Sequence, residues 1–116
     1  MQGYRVPVTE RDRTRVGLAI HLVAMATGVS PQQIASEQKH TGGVVRARRM
    51  AMYLAHVGYG WPLERVGHAF GRNRTTAAIA CRWSEDERDK PAIDSLLDRL
   101  EACLRQMLDG EPLGAA

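Results

Sequence analysis

The chain has 116 residues, 44% of them hydrophobic, with one Phe, two Trp and three Tyr, so its core must be built mainly from Ala, Val, Leu, Ile and Met. This length suits one domain with a real core. No apolar run approaches the roughly 20 residues of a membrane span, and the N-terminus lacks an uninterrupted hydrophobic signal segment, so a cytoplasmic location is expected. The net charge of +3 hides a division along the chain. Residues 1–38 carry four Lys/Arg against three acids, residues 39–82 eight against one, and residues 83–116 four against nine. A strongly basic centre followed by an acidic end is the footprint of a nucleic-acid surface backed by a solvated side, or of two faces that pair with each other.

Residues 1–12 contain Pro7 and no clear period, and are expected to form an N-terminal arm. A first helix is expected from Asp12 to Thr27, with Val16, Ile20, Val23 and Thr27 on one stripe and Gly28 as the stop. Ser30 and Pro31 are suited to cap and open a short second helix in "VSPQQIASEQ". The segment "KHTGG" reads as a loop. A third helix from Val44 to Val57 directs Ala47, Met50, Leu54 and Val57 inward, and Arg46, Arg49, Tyr53 and His56 to another face as a basic stripe. Pro62 opens a short fourth helix with Leu63, Val66 and Phe70 inward, Gly67 permitting close approach, and Gly71 ending it.

A fifth helix starts within "FGRNRTTAAIACR", where Ala77, Ala80, Cys81 and Ser84 form a narrow face of small residues. "SEDERDK" reads as a solvated polar segment. Pro91 then opens a sixth helix with Ile93, Leu96, Leu97, Leu100, Cys103, Leu104, Met107 and Leu108 on a wide apolar stripe. The stripe is core, with a weak dimer contact through residues 93–108 as the alternative to a monomer. Cys81 and Cys103 read as small buried thiols, since no CxxC or nearby His gives metal spacing. No metal or other cofactor is expected. The class is all-α, a compact helical domain of about six helices, with a domain over residues 13–110 and a tail over 111–116.

A short helix, a tight glycine turn and a second helix with a small-residue face form a helix-turn-helix pattern. In such a motif the first turn of the second helix projects into the major groove. Arg72, Asn73, Arg74, Thr75 and Thr76 stand at that tip. Arg forks onto guanine, Asn onto adenine, and Thr offers a hydroxyl to phosphate or a methyl to thymine. The competing reading is a solvated helix start, with Asn73 or Thr75 as a mere cap. The basic stripe makes Arg46 and Arg49 candidates for the DNA backbone.

The stretch "RARRMAMYLA…PLERVGHAFGRNRTTAAIACR", residues 46–82, resembles the C-terminal DNA-binding domain of the bacterial replication initiator DnaA. That family carries an arginine-flanked "RQMAMYL"-like helix, an "IG…FG" helix, and "GGRDHTT" at the start of the recognition helix, followed by "HAC". The likeness runs without a gap from Arg46 to Phe70, and a looser pattern extends it back to about Arg13. The resemblance implies a Trp repressor-like helix-turn-helix fold with Arg72 to Thr76 as the base-reading tip. It also implies that Arg48, His56 and the helix start at Leu63 meet backbone phosphates. The loop at Lys39 and His40 corresponds to the family's minor-groove contact, but no arginine stands there. The family's Asp-His pair is Asn73-Arg74 here, and one glycine of the turn is missing, so the initiator's usual box is not the expected target.

No GxxxxGK[ST] loop occurs, and the chain has no room for an ATPase domain, so ATP-driven initiation by this chain alone is not expected. Free-standing domains of this kind resemble small transcription regulators, including gene-transfer-agent and phage-type activators. The expected function is therefore sequence-specific binding of double-stranded DNA in bacterial or phage-type transcription control, with RNA polymerase or another regulator as a further candidate partner. The alternatives are a replication-origin modulator and a protein-interaction adaptor that reuses the fold. His21, His40, His56 and His68 are scattered and no catalytic triad or carboxylate pair is legible, so no enzymatic role is expected.

Overall fold

A computed structural model describes residues 7–36, 38 and 42–110. They form α1 (Glu10–Thr27), α2 (Pro31–Ala35), α3 (Gly43–Tyr59), α4 (Leu63–Ala69), α5 (Arg74–Glu87) and α6 (Pro91–Asp109). No strand occurs among the described residues, and none of their helices is long and apolar enough to cross a membrane. The all-α class and the six expected helices are all observed.

Helix α3 is the centre, packed against each of the other five. Its middle is buried on every side: Met50, Ala51, Met52, Tyr53, Leu54 and Ala55 are each at most 5% exposed. A helix enclosed by neighbours needs apolar residues all round, and Ala47, Ala51 and Ala55 let those neighbours approach closely. Two expected positions on α3 are corrected. Tyr53 belongs to the core and not to the basic stripe, whereas Val57 is 37% exposed and not inward. Tyr53 is covered because Arg88 lies over its ring, 5.5 Å from the centroid, and donates from Nε to the Tyr53 hydroxyl at 3.0 Å.

Arg88 lies in the segment read as solvated. It caps the end of α5 and bonds the carboxylates of Asp94, Asp98 and Glu101 on α6. Burial alone would lower its pKa, but the Tyr53 hydroxyl and the Asp94 and Asp98 carboxylates outweigh it and raise the value, so the charge is secure. One side chain thus ties α3, α5 and α6 together.

Helix α6 lies on α1 and α3, burying Leu97, Leu100 and Leu104. Each contributes about 2 kcal/mol of hydrophobic stabilisation. Ile93 and Leu96 pack partly against this core. The contact is narrower than the apolar stripe, so Met107 stays 46% exposed. For the same reason Cys103 is exposed, correcting the expectation of two buried thiols. Cys81 is buried, and burial, followed by the charge of Glu85, pushes its thiol up to about 11.

Helix α1 starts at Glu10, two residues earlier than expected, because Thr9 caps it. The Thr9 hydroxyl accepts from the Asp12 N–H at 3.1 Å, and the Thr9 N–H reaches back to the Asp12 carboxylate at 3.5 Å. That carboxylate is buried and also bonds Arg65 of α4 at 2.7 Å. Burial raises the Asp12 pKa, but Arg65 and the Thr9 groups overcome that effect and leave it lowered.

Helices α4 and α5 are joined through Phe70–Asn73. The Arg72 N–H returns to the Gly67 carbonyl at 2.7 Å, and the Gly71 N–H to the His68 carbonyl at 3.0 Å. Gly71 has φ +71°, a left-handed conformation natural to glycine. Gly67 has a different task. A Cβ there would stand 2.9 Å from the Arg74 nitrogen and closer still to the Asn73 carbonyl, so only glycine lets α5 start against α4. The small face of α5 is buried as expected, through Ala77, Ala80, Cys81 and Ser84.

Two outcomes follow. Gly67→Ala should destabilise the domain by about 1–3 kcal/mol in urea unfolding, because backbone and not a flexible side chain must move. Asp12→Asn should cost about 1–2 kcal/mol at pH 7, a modest figure because Arg65 is partly solvated. A lowered carboxyl stabilises the fold above the unfolded carboxylate value of about 4 and loses that contribution as pH falls through the folded value. The stability gap between wild type and Asp12→Asn should therefore close below about pH 4.

Candidate nucleic-acid interface

The start of α5 is built so that its first turn stands clear of the domain. Asn73 is extended, and its side-chain oxygen accepts from the Thr76 N–H at 2.9 Å, making it the N-cap. The cap reading of Asn73 is therefore realised. It leaves the amide nitrogen as a donor, so capping and contact with DNA are compatible. Arg74 and Thr75 are exposed and Thr76 is half-buried. At 100° per residue, Thr75 points opposite the buried Ala77–Ser84 face while Arg74 and Thr76 flank it on either side.

Arg72 is less available than its neighbours. It is half-buried and its Nη2 donates to the Ser36 carbonyl at 2.8 Å, although its buried Nε–H has no acceptor among the described residues. Arg48 departs further from expectation. It is only 8% exposed, donating from Nε to the Ile34 carbonyl and from Nη2 to the Gln33 carbonyl, both at 2.9 Å. In this arrangement Arg48 is a clamp on the C-terminal carbonyls of α2 and not an open phosphate ligand. The reason is structural: α2 is short and has no basic residue in its last turn, so a neighbouring helix supplies the donors. Burial, and then the charge of Arg72, lower the Arg48 pKa. Both residues line one cleft beside the start of α5, which concentrates positive charge there.

The other expected contacts are spread around this tip. Arg46 is exposed near the start of α3, and Arg49 is half-buried with its guanidinium 5.7 Å from the Trp83 ring centroid on α5. His56 holds the Trp61 carbonyl at 2.7 Å through Nδ1; a carbonyl only accepts, so Nδ1 carries the proton and Nε2 is left for another partner. Leu63 begins α4, where the first-turn N–H groups have no partner within the helix. Lys39 and His40 lie outside the described residues. Arg48, Arg49, Arg72 and Thr76 do converge, lining one cleft with Val45, Met52 and Ile79 between α3 and α5.

One part of the surface was missed in the sequence. Thr75, Ala78, Ile79 and Arg82 form a continuous outward ridge of α5, bordering one open depression. Their spacing of three, four and seven residues places them opposite the small-residue face, so the helical period carried the signal.

Comparison with known proteins agrees with this architecture. The family described as the bacterial dnaA protein helix-turn-helix matches residues 11–83. A chromosomal replication initiator protein DnaA from Thermodesulfovibrio yellowstonii is 34% identical over 80 residues, which are 67% of this chain and 18% of that protein. A solved structure of a DNA replication initiation factor superposes with a TM-score of 0.72 at 27% identity, covering 83% of this chain and 30% of that one. The chain thus spans less than a third of the length of these relatives. A family match over more than half the chain and a helix-turn-helix of the same architecture agree: this chain belongs to the bacterial DnaA helix-turn-helix family of DNA-binding domains.

Proposed function

We propose that this chain reads a specific sequence in double-stranded DNA as a bacterial or phage-type transcription regulator, with α5 entering the major groove tip first. The observation that carries the reading is the pairing of opposite faces on α5. A buried face of small residues holds the helix to the domain, while Arg74 and Thr75 are exposed at its start beside the Asn73 cap. The first-turn N–H groups of α5 and the cleft arginines supply positive potential for phosphate. Arg46, Arg49, His56 and the start of α4 at Leu63 act as backbone contacts around that tip.

Asn73 and Arg74 set the specificity. An acceptor-only carboxylate cannot donate to a base, whereas the Asn73 amide can, and Arg74 offers a fork matched to guanine N7 and O6. The base preference is therefore guanine at Arg74, and adenine or a phosphate at Asn73. Control of a replication origin is a second reading, favoured by the initiator named among the relatives. Mapping genomic occupancy separates origin sites from promoter sites.

Selection of bound duplexes from a random pool tests the proposal. Arg74→Ala should relax one guanine position, costing about 1–3 kcal/mol of discrimination, while leaving the rest of the site unchanged. Asn73→Asp keeps a good N-cap but removes the amide donor, so it should preserve stability and change the selected site. Affinity should fall steeply with salt, in proportion to the phosphates engaged. An absence of duplex binding at low salt would overturn the proposal in favour of a protein-interaction adaptor.

A further inference from the structure

Four large hydrophobic side chains are conspicuously exposed among the described residues: Met25, Val57, Ile79 and Met107. Ile79 alone lies on α5, 51% exposed on the outward ridge with Thr75, Ala78 and Arg82. From these neighbours we infer that Ile79 is a specificity-determining residue that reads the C5-methyl group of a thymine in the major groove. The inference rests on the reading of α5 as the groove-entering helix and goes beyond its tip.

The geometry supports a base edge as the partner of this side chain. Ile79 follows Thr75 by four residues and so lies on the same face, about 6 Å further along the helix axis. The major groove, about 12 Å wide, admits an α-helix, so one outward face can present both positions to base edges. Ala78 beside it is too small to keep the helix away from the groove floor. Arg82, one turn beyond, is placed to meet a phosphate and hold that turn down. Ile79 has no hydrogen-bonding group, so the only base feature it can favour is apolar, and the thymine methyl is the one apolar group the major groove presents. The other border of Ile79 is the cleft with Thr76 and Met52, which keeps its branched side chain beside apolar carbon on the domain side.

The test replaces each thymine of a selected duplex, one at a time, by deoxyuridine, which removes a single methyl and no hydrogen-bonding atom. The wild-type chain should lose roughly three- to fivefold in affinity at one position, the value of one buried methyl. Ile79→Ala should bind the unmodified duplex several-fold more weakly and show no further loss at that position, while Ile79→Val keeps part of the sensitivity. Wild-type indifference to every deoxyuridine, or undiminished sensitivity in Ile79→Ala, would overturn the inference and leave duplex binding by α5 standing. Self-association of the wild type that Ile79→Ala abolishes, with unchanged duplex affinity, would also overturn it and assign Ile79 to a protein contact. Failure of the wild type to bind any duplex would instead overturn the underlying reading along with the inference.

Discussion

The contact between Gly67 and the backbone of Asn73 and Arg74 governs the rest of the interface. Backbone against backbone is a hard contact with no rotamer to absorb error, so α5 can begin in only one position relative to α4. Once that start is set, the small face of Ala77, Ala80, Cys81 and Ser84 brings α5 close along α3, and rotation about the α5 axis is settled as well. The tip residues inherit their direction from these two restraints. Of their own side chains, the Asn73 cap and the Arg72 bond to the Ser36 carbonyl add to it.

Arginine serves two purposes in this chain. Arg48, Arg65 and Arg88 act inward, each tying one helix to another through carbonyls, carboxylates or an aromatic ring. Arg46, Arg74 and Arg82 are exposed to solvent, placed to meet a partner. Arg49 and Arg72 stand between, with one side on the protein and the other on the cleft beside α5. This division suits arginine, whose five fixed donors can satisfy a structural acceptor and still face outward. It also means that the charge of the central segment overstates the number of cations available to DNA.

Much of the fold was legible in the residues themselves. The presence of α1, α3 and α6, the Ser30–Pro31 start of α2, and the small face of α5 were readable, because each depends on spacing within one helix, although Thr27, Val57 and Cys103 at the edges of their stripes are exposed. The errors arise where neighbouring helices, and not spacing within one helix, decide what is covered. Tyr53 and Val57 were assigned to sides from the period of α3, but a helix surrounded by five others has no single inward face. Arg88 read as solvent-facing within "SEDERDK", yet it is the side chain that joins α3, α5 and α6. In the candidate site, Arg74 and Thr75 were legible as an exposed tip, whereas the outward ridge at Ile79 was overlooked although its spacing opposite the small face was already in the sequence.

By itself the sequence determined the all-α class, the pattern of a short helix, a glycine turn and a small-faced second helix, and the polar start of α5, since caps, glycines and periodicity act over a few residues. Tertiary structure alone decided which arginines remain at the surface. Arg48 and Arg46 are two residues apart on one helix and chemically identical, yet one is enclosed under the end of α2 and the other faces solvent. That difference comes from how distant segments pack, because a guanidinium takes whichever acceptors the fold brings within about 3 Å.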